Sequence, residues 1–200
     1  MVVMMNNPSL EDKKALIMGN EERMANQLAR KVIEKPVPPV WMILIPIFFI
    51  FFVWKLKQYS RGLKDFATHY LLSKRRALDT AFESVLSDNL PEIDHLVEMA
   101  GSLPAKAQPL YRAWLSLLVD HYRFLLTAPG NNHHEFIRSH YQHKINYAAF
   151  CNQLNRAEYA YNVALLPGIE GDQGDLQVIL DRMRNGIKDL SQKEIADIFG

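Results

Sequence analysis

Val40-Trp41-Met42-Ile43-Leu44-Ile45-Pro46-Ile47-Phe48-Phe49-Ile50-Phe51-Phe52-Val53-Trp54 is a run of fifteen residues without a charge, and its only hydrogen-bonding side chains are the two indoles. Widened to 37–56, the window holds twenty residues and one charge, Lys55. A helix of that length reaches about 30 Å, the hydrocarbon thickness of a bilayer. Trp41 and Trp54 stand at the ends, where indoles favour the headgroup boundary, and Lys55, Lys57, Arg61 and Lys64 follow within snorkelling reach of phosphates. Phe48, Phe49, Phe51 and Phe52 leave no polar stripe of the kind a surface helix shows. The run predicts a transmembrane anchor over 37–57, between an N-terminal amphipathic helix or flexible tail (1–36) and a cytosolic α-helical domain (58–200). Pro46 removes a backbone donor in mid-run, so it is expected to kink a spanning helix or to fold the segment into a re-entrant wedge.

Moving outward, four basic residues follow the run within ten positions and three precede it, Arg30, Lys31 and Lys35. That asymmetry places the C-terminal part in the cytoplasm. The single cysteine, Cys151, and the lack of an Asn-x-Ser/Thr acceptor agree with a reducing compartment. With 23 basic and 22 acidic residues there is no global basic field, and nucleic acid is not an expected partner.

Apolar periodicity accounts for most of the remaining chain, and the expected fold is all-α: a single transmembrane helix continuing into a soluble helical bundle. Ser9 and Asp12 form a capping pair ahead of Leu10, Ile17, Met24, Leu28 and Val32, one stripe of a helix stopped by Pro36, Pro38 and Pro39. After the anchor no proline appears before Pro91, which predicts one long rod with Leu63, Phe66, Tyr70, Leu78, Phe82 and Val85 inward and Lys74, Arg75, Arg76 and Asp79 in water. A short helix over 91–100, with Gly101 as its stop, and a core helix over 104–126 follow. Two further helices are expected near 176–185 and 191–199.

From His133 to Leu166 the pattern predicts one helix. Phe136, His140, His143, Tyr147, Phe150, Leu154 and Tyr161, with Ala157 between the last two, recur at spacings of four and three, the requirement of a coiled-coil seam, and mark a partner-binding face. On a continuous helix His133, His140 and His143 also fall within about 80° of arc, which makes them candidate metal ligands. No second carboxylate or cysteine ligand accompanies them, so no metal or other cofactor is assigned. Glu92 and His95 form a single Glu-x-x-His pair, half of what a di-iron bundle needs. Cys151 has no partner that makes a nucleophile, and no phosphate-cradling glycine loop or Gly-x-Ser-x-Gly occurs, so an enzyme is not expected.

The last eleven residues, 190–200, resemble the positioning helix of helix-turn-helix regulators, with Ser191 as cap, Glu194 completing a capping box, and Ile195 and Ile198 inward. The recognition helix would have to follow Gly200, so this segment is expected to dock on the bundle instead. The functional expectation is a non-catalytic, membrane-anchored scaffold that binds a protein partner or a second copy. The alternative is a membrane-tethered sensor or metal-binding domain using the three histidines.

Overall fold

Near the N-terminus Ser9 and Asp12 cap one another: the Asp12 N–H donates to Ser9 Oγ and the Ser9 N–H to Asp12 Oδ2, each at 3.1 Å. Two donors that a helix start leaves orphaned are thereby satisfied. The computed structural model describes residues 8–35, 46–101, 103–168 and 172–200, with the side chains of 46–58 and 69 outside the description. Among the described residues all regular structure is helical: α1 (Leu10–Val32), α2 (Pro46–Ser87), α3 (Ile93–Glu98), α4 (Ala107–Thr127), α5 (His133–Tyr141), α6 (Lys144–Leu165) and α7 (Gln173–Phe199), with a 3₁₀ turn at Leu166–Gly168.

The long rod is α2, 42 residues in one helix, about 63 Å at 1.5 Å per residue. It begins, as described, at Pro46, so the expected bend at that residue and the contacts of Trp41 lie outside the described residues. The same holds for the anchoring side chains Phe48, Phe49, Phe51, Phe52, Trp54, Lys55 and Lys57. Among the described residues no helix is long and apolar enough to cross a membrane.

α4 is the centre of the bundle and packs on α2, α6, α3, α5 and α1, while α1 also lies against α2 and α7. Its place explains its burial. Trp114, Leu115, Leu118, Val119, His121, Tyr122, Leu125 and Leu126 are all covered. Ile17 of α1, Leu78 of α2 and Ile198 of α7 join the same core, so α1 is docked along its stripe. α7 approaches α1 closely at Gly186, where a Cβ would meet Leu28 Cδ1 at 2.8 Å.

Three expectations are corrected. The helix predicted over 133–166 is broken at Gln142, whose φ of 60° and ψ of −43°, with His143 N–H donating to Tyr141 O at 2.6 Å, form a γ-turn. Tyr141, the last residue of α5, places its hydroxyl 2.8 Å from His121 Nδ1 and so partners a buried imidazole. The two C-terminal helices are one, α7, and Ser191 lies inside it instead of capping a helix. Lys74, expected in water, is only 8% exposed.

Candidate functional site

Charged residues interrupt the buried stripe of four helices and meet at the bundle centre. Glu21 lies between Ile17 and Met24 on α1, Lys74 between Tyr70 and Leu78 on α2, Glu158 between Leu154 and Tyr161 on α6, and Glu194 between Leu190 and Ile198 on α7. All four line one cavity of about 70 Å³. At roughly one water per 10–15 Å³ it has room for a few waters and not for a drug-sized ligand.

Two of the carboxylates are well partnered. Glu21 accepts from Lys74 Nζ through Oε2 and from the Tyr122 hydroxyl through Oε1, both at 2.8 Å. Burial opposes the charge on Lys74, but Glu21 beside it prevails and holds the ammonium well above the usual lysine range. Glu194 accepts from Asn20 Nδ2 at 2.9 Å and from Tyr147 OH at 2.8 Å, with His133 Nε2 at 3.6 Å. Burial works against ionisation here too, yet His133, Tyr147 and Asn20 together hold the carboxyl at about 2.

Glu158 is different. It is 4% exposed, and among the described residues its one hydrogen bond within 3.5 Å is a long one, from Tyr70 OH at 3.4 Å. Among the described residues no cation pairs with it, because Lys74 is engaged by Glu21. Burial raises its pKa above the ordinary carboxylate value, against weaker opposition from Lys74, Tyr70 and Trp114. Glu158 and Tyr70 line the central cavity and also a second space, a cleft of about 430 Å³ walled by Phe66, Trp114 and Tyr161. Trp114 and Tyr161 stack with centroids 6.0 Å apart and 11° between planes, and Phe66 and Tyr70 stack at 6.0 Å and 7°. Trp114 Nε1 is buried without a hydrogen bond among the described residues.

The predicted seam is spent inside the bundle. Phe136 and Tyr147 belong to the core, and Phe150, Leu154 and Tyr161 pack against it. His140 stacks on Phe124 at 4.1 Å, and His143 is an exposed residue at the start of α6. The α5–α6 break separates the three histidines: His133 faces Glu194, whereas His140 and His143 do not line that cavity. Among the described residues no group of three or more His, Cys, Asp or Glu is arranged to hold a metal ion. Glu92 and His95 line none of these spaces; the His95 ring lies 4.0 Å from Glu98. Cys151 is buried, and burial pushes its thiol up to about 12, which leaves it protonated and a poor nucleophile. Burial likewise lowers His121 to about 3, so its imidazole is neutral near pH 7.

No family model matches the chain, and neither a curated protein nor a solved structure does. Its own side chains therefore carry the functional reading.

Proposed function

We propose that this chain is a membrane-tethered, non-catalytic helical docking protein, single-pass, with its bundle on the cytoplasmic side. The observation that carries the reading is the continuity of α2. The residues from Pro46 to Trp54, the second half of the apolar run, and the core positions Ala77, Leu78 and Ala81 belong to one helix. A helix held in lipid at its start therefore fixes the bundle at a set distance and angle, which a floppy linker does not. The nine apolar residues inside α2 reach about 14 Å, so a full span also requires residues 37–45. The basic residues Lys55, Lys57, Arg61 and Lys64 support the cytoplasmic placement.

Because the aromatic seam is internal, a partner meets other surfaces. Leu72, Leu86 and Leu90 are 47%, 61% and 85% exposed on α2 and just after it. The full chain extracted in mild detergent is expected to run as an oligomer or with a stoichiometric protein partner. A strictly monomeric particle with nothing bound contradicts the docking role.

A further inference from the structure

A carboxylate in the dry part of a small protein is held there at a cost, and the usual compensation is a cation or several hydrogen bonds. Glu21 and Glu194 have that compensation; Glu158 has less, since Lys74, Tyr70 and Trp114 favour its charged form but burial outweighs them. The space Glu158 borders is also unlike the central cavity, being about 430 Å³ against about 70 Å³ and walled by four aromatic rings. Aromatic faces carry negative potential and attract cations, most strongly where water is excluded. One such contact already exists in the cluster, with Lys74 Nζ 5.0 Å from the Tyr70 ring centroid.

We infer that the cleft between Phe66, Tyr70, Trp114 and Tyr161 binds a small organic ammonium cation, with Glu158 as its counter-ion. A metal ion fits less well, because one carboxylate beside the neutral Ser73 and Asn162 offers too little charge. The ammonium group has two possible sources, a free amine or a lipid headgroup. Phe66 lies twelve residues beyond Trp54 on α2, about 18 Å along the helix, near enough to the apolar run for either. The inference does not depend on how the chain meets the membrane.

The test uses the full chain carrying Trp41→Phe and Trp54→Phe, which leaves Trp114 as the only indole. Tetramethylammonium, choline and ethylammonium chlorides are titrated against its fluorescence, with sodium chloride as the control. In a parallel arm the chain is mixed with vesicles of phosphatidylcholine or of phosphatidylglycerol. A saturable change with half-saturation near or below about 1 mM is expected from at least one ammonium salt. If only phosphatidylcholine vesicles produce it, the source is the headgroup; if the free salts do, it is a soluble amine. Glu158→Gln is expected to weaken binding about tenfold or more while thermal unfolding is unchanged or moves upward, because a merely structural carboxylate has no ligand to lose. Should Glu158→Gln not fold, Tyr161→Leu decides, with weakened binding expected. No change in fluorescence in any arm, or equal affinity in the variant that decides, overturns the inference.

Discussion

Lys74 and Glu21 illustrate how much a single buried charge depends on its neighbour. Their side chains are 9% and 14% exposed, and neither has water to fall back on. Lys74→Met alone is expected to cost about 3–5 kcal/mol, because it strands Glu21, whereas Lys74→Met with Glu21→Gln recovers most of that loss. Urea denaturation of the three chains measures this; equal stability of the single and double variants contradicts it. Glu194 provides a pH test. Its carboxyl sits at about 2 when folded, below the ordinary 4.5, so its contribution is complete above the ordinary value and disappears as pH falls through about 2. Glu194→Gln is expected to be destabilised by about 3 kcal/mol at pH 7, with the gap closing as pH drops toward 2. His121 works in the same direction over a higher window. Folded at about 3 against an ordinary 6.5, it favours the native state above 6.5 and loses that contribution between 6.5 and 3. Glu158 has the opposite sign, since its raised pKa means that protonation relieves a cost on acidification. A Glu194→Gln difference that stays constant with pH contradicts the assigned hydrogen bonds.

Gln142 is the element-scale feature that sequence reasoning could not see. No proline or glycine marks it, and the four-three spacing of Phe136, His140, His143 and Tyr147 continues across it, yet the chain turns through a strained γ-turn there. Across the turn, Tyr141 of α5 and Tyr147 and Phe150 of α6 all reach His121, so tertiary contacts override the local pattern. Gln142→Gly, which removes the Cβ at positive φ, is expected to raise stability by about 1 kcal/mol, read as a higher unfolding midpoint. A lower midpoint contradicts the strain. The opposite error occurs in α7, where Ser191 and Glu194 look like a capping box but lie inside a continuous helix. Glu194 is recruited by Tyr147 and Asn20, and Gly186 serves the close approach to Leu28. Where local chemistry decides, the sequence was informative: Ser9 and Asn132 cap the helices that follow them, and Gly101, with φ of 78°, stops α3.

At the scale of the whole molecule, the all-helical class and the continuous rod were legible because apolar stripes of period 3.6 are long and regular in α1, α2 and α4. The central site was legible only as gaps. Glu21, Lys74, Glu158 and Glu194 each stand at a stripe position, and a charged residue inside a stripe signals a buried network only once the helices are known to bring their stripes to one place. The rings of the aromatic seam, Phe136, Tyr147, Phe150 and Tyr161, lie in or against the bundle's own core. The proposed tether depends on lipid holding the apolar start of α2. Flotation of the detergent-free full chain with liposomes tests this most directly, beside a variant with Phe48, Phe49, Phe51 and Phe52 changed to Ser. The full chain is predicted to rise with the vesicles and the variant to stay at the bottom with unchanged circular dichroism; a full chain that stays below as a monodisperse particle contradicts the tether.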